Sequence, residues 1–209
     1  MVKIYGRSNS ANVQKVLWVC EELSIPVQRE VVGGESGGMK TRDPSYLVLN
    51  PNGLVPTIDD DGFVLWESNA IVRYFAAKHG AGTLWPENVQ ERADADRWMD
   101  WASMTIAPAM GPLFVGLVRT PPEKRDPAAL DEARHRALDA WKILSNDLSR
   151  RDFVAGSHFT MGDIALGVHA YRWFNLPIQR PSMMVGLQNW YARLTMRPAY
   201  KKWVMTTLT

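Results

Sequence analysis

The sequence predicts an α/β unit over residues 1–80 followed by an all-helical unit over residues 87–209. Strand and helix signals alternate up to His79, as in a βαβ unit. From Pro86 onward the strand pattern disappears and apolar residues recur at helical spacing. Between the two lies Gly80-Ala81-Gly82, a break in both patterns.

Residues 2–5 form a short apolar strand, and the polar turn 6–11 leads into a helix from Asn12 to Leu23. Val13, Val16, Leu17, Cys20 and Leu23 share one face of that helix. Pro26 to Val32 reads as a second strand, and the glycine-rich stretch 33–38 as a flexible loop. Asn50-Pro51-Asn52-Gly53 is a turn. Leu54 to Asp59 and Phe63 to Trp66 form a hairpin around Asp60-Asp61-Gly62, and a helix runs from Ser68 to His79. Residues 88–118 read as one long helix, bent near Pro108 and Pro112. Helices at 127–149, 161–174 and 183–194 complete the chain, with a loop at Thr120-Pro121-Pro122.

Composition narrows the function. The 209 residues suffice for one large domain or two modest ones, and 46% apolar residues are ordinary for a soluble globular protein. Nine tryptophans point to large apolar surfaces between helices or around a ligand. The net charge is +2, so the basic pI reflects a slight excess of bases and not a concentrated patch. No run of Lys and Arg interleaves with aromatics, which argues against nucleic acid as a partner. With Cys20 the single cysteine, an internal disulfide is impossible and a reducing compartment fits. Cys20 lies on an apolar helix face and reads as core, not nucleophile. The chain starts without a long apolar signal region, and no apolar stretch approaches the roughly 20 residues that span a bilayer. A cytoplasmic protein without membrane contact is expected. The four histidines are widely spaced, so no metal is expected. Lys15, Glu21 and Glu22 read as a solvated helix face.

Chemistry concentrates between Asn50 and Ser68. Proline is unusual inside a strand, and a cis Val55-Pro56 bond would explain its place there. It would also turn the Val55 backbone outward, where it could pair with an extended peptide. From the local sequence alone, an edge strand with a trans bond is the favoured reading. Ser68 reads as an N-cap. The helix N-terminus it starts would also attract a carboxylate, while the neighbouring Glu67 could pair with an ammonium group. Together these suit an amino-acid zwitterion. The turn Gly6 to Asn12 places hydroxyls where a strand gives way to a helix, a common ligand position in α/β folds. Ser10 there is either a cap or a donor to a bound group.

The order of these features resembles the cytosolic glutathione transferase superfamily. It is carried by the serine-bearing turn, by Asn50-Pro51-Asn52-Gly53-Leu54-Val55-Pro56, and by Leu65-Trp66-Glu67-Ser68-Asn69-Ala70-Ile71-Val72-Arg73-Tyr74. Phe159-Thr160-Met161-Gly162-Asp163-Ile164 is similar to the family's capping box and hydrophobic staple. The resemblance spans the whole chain and lies nearest the bacterial serine-type, theta- and beta-like members. It implies a thioredoxin-like domain followed by a helical domain that contributes the electrophile site, commonly in a homodimer.

The resemblance also implies roles. Leu54 and Val55 would lie along glutathione, with Val55 pairing its backbone with the cysteinyl part and Pro56 as the cis proline. Glu67 and Ser68 would hold the γ-glutamyl group. Ser10 matches the thiol-activating serine, with Ser8 and Asn12 as competitors; a side-chain amide also donates to a thiolate. Gly53 stands where many relatives carry a side chain for the glycyl end, so Lys40 or Arg42 would supply that charge. A family tyrosine is not evident, since Tyr5 lies within the first strand and is expected to pack inward.

The reaction needs a thiolate, and lowering a thiol pKa from about 8.5 by ~2 units takes about 2.7 kcal/mol. One charge-assisted hydrogen bond gives ~1.5–3 kcal/mol and a helix N-terminus up to ~1 kcal/mol, so no metal is required. Met104, Phe114, Tyr171 and Trp173 are the candidate walls for an apolar electrophile, although such residues also make ordinary core. The expected activity is conjugation of glutathione to small hydrophobic electrophiles. Glutathione-dependent dehalogenation or peroxide reduction, and a non-catalytic binding or scaffold module, are the alternatives.

Overall fold

The computed structural model describes residues 1–34 and 38–209, so the loop predicted at 33–38 falls partly outside the described residues. Strands β1 (Val2–Tyr5), β2 (Val27–Glu30), β3 (Thr57–Asp60) and β4 (Phe63–Trp66) make one sheet in the order β2-β1-β3-β4. β1 runs parallel to β2 and antiparallel to β3, with Ile4 opposite Ile58. The parallel pair needs a crossover, and helix α1 (Ala11–Glu22) supplies it. β3 and β4 form a tight hairpin through Asp61 and Gly62, whose φ of 53° and 94° suit a primed turn.

Two strands are shorter than the sequence suggests. β3 begins at Thr57 and not Leu54, because Pro56 has no N–H to donate to the ladder. β2 spans only Val27–Glu30. Val2 and Ile4 point into the core, whereas Tyr5 points to the opposite face. There its ring lies 6.4 Å from that of Tyr46 on the short helix α2 (Pro44–Leu47). The expected inward packing of Tyr5 is therefore corrected by the strand's period of two.

Helix α3 (Ser68–His79) packs beside α1 on the core face, where Ile71, Val72 and Phe75 are fully buried with Val13, Val16 and Leu17. The helical half comes next. α4 (Val89–Trp101) passes through a π-helical turn at Ala102–Ile106, continues as α5 (Ala107–Phe114) and ends in a second π turn at Val115–Arg119. The wide first turn gives the ring of Pro108 room beside the carbonyl of Met104. This stretch corrects the expectation on apolar length: Val89–Arg119 is long and apolar enough to cross a membrane by length and composition. Its Met99, Ala102, Ile106, Met110 and Leu113 instead line the core of this chain.

α6 (Pro127–Asp147) starts with Pro127 at its first position and Asp126 as its cap, accepting from the N–H groups of Ala128 and Ala129 at 2.9 and 3.1 Å. α7 (Met161–Asn175) is the central helix, and α8 (Val185–Met196) and α9 (Pro198–Trp203) close the chain against it and α1. A Cβ on Gly167 would lie 2.7 Å from the Trp18 ring, so a glycine lets α7 approach α1. The Trp18 indole packs on Tyr200, 4.7 Å between centroids, and donates to Glu22. Glu22 also receives Arg197 at 2.6 Å. Neither Lys15, 2% exposed, nor Glu22 belongs to a solvated face, because α1 is covered by α3 on one side and by α7 and α9 on another.

At the start of α7, the carboxylate of Asp163 accepts from the Thr160 N–H at 2.8 Å, as a capping box requires. It accepts further from the Val154 N–H at 3.0 Å and the Trp190 indole at 2.8 Å. Burial pushes this carboxyl up to about 6 even against these donors. Phe159 packs its ring on Trp18 and Phe153. Replacing Asp163 by Ala strands two buried N–H groups and an indole, so it should cost about 3–5 kcal/mol in urea unfolding. Thr160→Val should cost only about 1 kcal/mol.

Candidate functional site

Two helix N-termini meet beside the start of β3. Ser10 occupies the cap position of α1, yet its hydroxyl makes no bond to the helix and faces a cleft of about 170 Å³. Asn12, in the first turn of α1, lines the same cleft. Ser8 lines a larger adjoining hollow with Arg7, Arg29 and Thr206.

At α3 the cap position belongs to Glu67, and Ser68 is the first helical residue, which corrects its reading as an N-cap. The reason is backbone geometry. Glu67 has φ 73°, and its carbonyl accepts the Ile71 N–H at 2.9 Å. A non-glycine residue held there costs of order 1–3 kcal/mol, which is a mark of functional sites. The freed Ser68 hydroxyl donates to Asn12 Oδ1 at 3.2 Å and ties the two helices together.

Lys15 adds a second donor to that oxygen, at 3.2 Å, and reaches Asn69 Oδ1 at 3.3 Å. Asn69 in turn donates to the Met99 carbonyl at 2.7 Å, which joins α4 to the group. Lys15 has only neutral acceptors, and burial pulls its ammonium down to about 8, with Glu67 opposing and Arg172 assisting. With both donors on its oxygen, the Asn12 amide must turn its NH2 away from them.

The segment before β3 is pinned from beneath. Asn50 and Tyr46, both buried, donate to the Leu54 carbonyl at 2.8 and 2.6 Å. The Val55–Pro56 bond is cis. Among the described residues, the Val55 N–H and carbonyl take part in no hydrogen bond. Leu54 is 62% exposed beside them. Gly53 has φ 61°, and a Cβ there would sit 3.0 Å from the Arg42 guanidinium. Arg42 thus fills the space that a side chain at 53 would take, whereas Lys40 is exposed and holds Asp43 only through its backbone N–H.

The helical half gives the cleft Ala107, Met110, Gly111, Arg119, His169 and Arg172, opposite Ser10 and Asn12. Burial, then Arg119 and Arg7, pulls Arg172 down to about 10. His169 is 5% exposed and is kept neutral by burial and by Lys15 and Arg172. The sequence showed no concentrated basic patch; folding makes one from residues 7, 119 and 172, far apart in the chain.

None of the four apolar candidates lines this cleft. Met104 is 78% exposed, Trp173 lies in the core against Trp141, and Tyr171 is half-buried elsewhere. Phe114 is buried beneath Arg172, whose guanidinium lies 3.8 Å from its ring centroid. Helical periodicity marks apolar faces but does not say which of them borders a cavity. Cys20 is buried and its thiol is pushed up to about 12, so it is inert. Among the described residues, no three His, Cys, Asp or Glu side chains are grouped to hold a metal.

The family models for the glutathione S-transferase N-terminal domain and C-terminal domain match residues 9–78 and 127–193. The chain belongs to the glutathione S-transferase family. It is 43% identical to glutathione S-transferase GstB of Escherichia coli, over 98% of each chain. It is 31% identical to glutathione S-transferase F12 of Arabidopsis thaliana, over 97% of this chain and 96% of that one. The theta class glutathione S-transferase of Xanthomonas axonopodis pv. citri, solved with glutathione bound, superposes with a TM-score of 0.95 at 47% identity and covers 100% of this chain and 99% of that one. The transferase fold thus accounts for the sheet, the crossover helix α1 and the helical half.

Lys15 gives the site a pH signature. Its folded pKa is about 8 and its unfolded pKa is 10.5, so the unfolded chain binds more protons between these values. Stability should therefore rise by about 3 kcal/mol from pH 8 to pH 10.5 relative to Lys15→Met, compared by urea unfolding across that range.

Proposed function

We propose that this transferase conjugates the glutathione thiolate to small electrophiles, working in the cytoplasm as a homodimer. One observation carries the reading. Ser68 and Lys15 hold the Asn12 oxygen, which leaves its NH2 for the cleft beside a Ser10 hydroxyl not used in capping. Both groups are donors placed where a thiolate can accept.

Glutathione would lie across the starts of both helices. Its γ-glutamyl carboxylate faces the N–H groups at the start of α3, and its ammonium group faces Glu67. The cysteinyl backbone pairs with Val55 in the manner of an added strand, next to Leu54 and Pro56. The glycyl carboxylate meets Arg42 beside Gly53, with Lys40 nearby. The thiol then reaches Ser10 and Asn12.

The energetics suffice. One or two charge-assisted hydrogen bonds of ~1.5–3 kcal/mol each, and the α1 N-terminus, lower a thiol pKa of about 8.5 by ~2 units. Lys15 adds positive potential behind Asn12. The thiolate sulfur attacks the electrophilic carbon, and the leaving group departs with the bonding pair. Proximity supplies much of the rate. The second substrate occupies the side walled by Ala107, Met110 and Gly111, with Phe114 beneath its floor. The homodimer is supported by large apolar side chains left exposed on β4 and α4, including Phe63, Trp66 and Val89. The single cysteine, buried and unpaired, suits a reducing compartment.

Calorimetry with glutathione and sedimentation of the free protein test binding and dimerisation. Absorbance of the bound thiolate should show its pKa rising by ~1–2 units in Ser10→Ala and in Asn12→Ala, with kcat/KM falling about 10–100-fold in each. If Ser10→Ala is silent and Asn12→Ala is not, the amide alone activates the thiol. Glu67→Gly should bind glutathione more weakly while unfolding at equal or higher urea concentration, since it removes both the carboxylate and the strained side chain.

A further inference from the structure

The cleft facing Ser10 and Asn12 is more basic than a pocket for apolar electrophiles needs to be. Arg7, Arg119 and Arg172 all line it. The guanidinium groups of Arg172 and Arg119 lie against one ring, 3.8 and 5.2 Å from the centroid of Phe114. Among the described residues, none of the three forms an ion pair with a carboxylate. Arg172 donates to the Asn9 carbonyl at 3.3 Å, and its Nε is buried without a partner. His169, 5% exposed, lines the same cleft, and neither of its ring nitrogens has a partner.

Clustered cations repel one another, and the lack of an anion costs most at Arg172, where burial is the main cause of its lowered pKa, while Arg119 is exposed. Unsatisfied buried donors add to it. The arrangement is relieved when an anion enters. Glutathione's own carboxylates do not supply that anion in the pose proposed for it. One lies at the start of α3 and the other beside Gly53 and Arg42, while the thiol end alone reaches this cleft. The anion must then belong to the second substrate.

We propose that this cleft is a subsite for the carboxylate of a small anionic electrophile, gripped by Arg119 and Arg172 with Arg7 beside them and an N–H from His169. The inference rests on the glutathione reading. It places the electrophilic carbon between the carboxylate and Ser10–Asn12. The cleft holds about 170 Å³, room for a small carboxylate substrate, and opens beside the larger hollow at Arg7 and Arg119. In the reaction of a halide substrate the sulfur–carbon bond forms, the bond from carbon to the halide breaks, and the halide leaves with its electron pair. The carboxylate is unchanged and stays with the arginines.

The test uses the full chain saturated with S-methylglutathione, which blocks chemistry and fills the glutathione site. 3-Nitrobenzoate and its neutral isostere 3-nitrobenzamide are then titrated by calorimetry. The expected result is about tenfold or tighter binding of the benzoate, with the preference lost in Arg119→Gln and in Arg172→Gln and kept in Arg172→Lys. Thermal melts identify any variant that fails to fold, and Arg119→Gln, at the end of its helix, carries the test if Arg172→Gln does. Equal binding of the two probes, or none of either, overturns the subsite while leaving glutathione binding standing. A preference that survives both glutamine variants overturns the arginine assignment. Failure of S-methylglutathione to bind overturns the glutathione reading and this inference with it.

Discussion

The constraint on which the rest depends is that helix α1 has almost no solvent-facing side. The sheet and α3 cover one flank, and α7 and α9 cover another. A helix so enclosed would ordinarily be apolar all round. This one carries Gln14 and Lys15 into the interior, both at most 5% exposed. Their polar atoms must be satisfied, and the partners they find lie on other elements. Gln14 donates to Thr206 at 3.2 Å, and Lys15 holds Asn69 of α3. The same requirement fixes the orientation of Asn12. Packing, polar satisfaction and the geometry of the site are thus one problem solved at one helix.

The site also stores unfavourable energy. A glutamate with φ 73°, a buried ammonium with neutral acceptors, three arginines and an imidazole without anions all stand within the region of the two helix N-termini. The strained glutamate and the buried ammonium and imidazole lower stability, and the large apolar core supports them. Trp18, Trp141, Trp173 and Trp190 are fully buried in it. The Asp163 carboxylate fixes the start of α7, from which His169 and Arg172 project. The helical half supplies the stability that the cleft consumes.

Most of the fold was legible in the sequence because it rests on local patterns. Alternating strands, the Asp61-Gly62 turn, the capping box at Thr160 and Asp163 and the helix at 68–79 all depend on neighbours in the chain. What the sequence hid was non-local. Lys15 reads as solvated because nothing near it reveals that α7 will cover it. The basic cleft is invisible for the same reason, since Arg7, Arg119 and Arg172 are widely separated along the chain. α7 held one clue: His169 and Arg172, three apart, are polar residues on one side of a helix whose other interior positions after Asp163 are apolar or aromatic. The strand starts failed by a few residues where proline removed a donor. Met104, Phe114, Tyr171 and Trp173 do not line the cleft because helical spacing marks an apolar face without saying which cavity it borders.

The two π-helical turns on either side of α5 have a consequence for how the cleft can change. A π turn takes up one residue more than an α turn, so it absorbs an extra residue that in a regular α-helix would rotate everything downstream by roughly 100° about the axis. Ala107, Met110 and Gly111 keep their facing toward the cleft across the first of these turns. The long helix therefore holds slack in its length: a residue lost from a π turn leaves the downstream side chains facing the same way, whereas one added or lost inside α5 turns those beyond it away from the cleft.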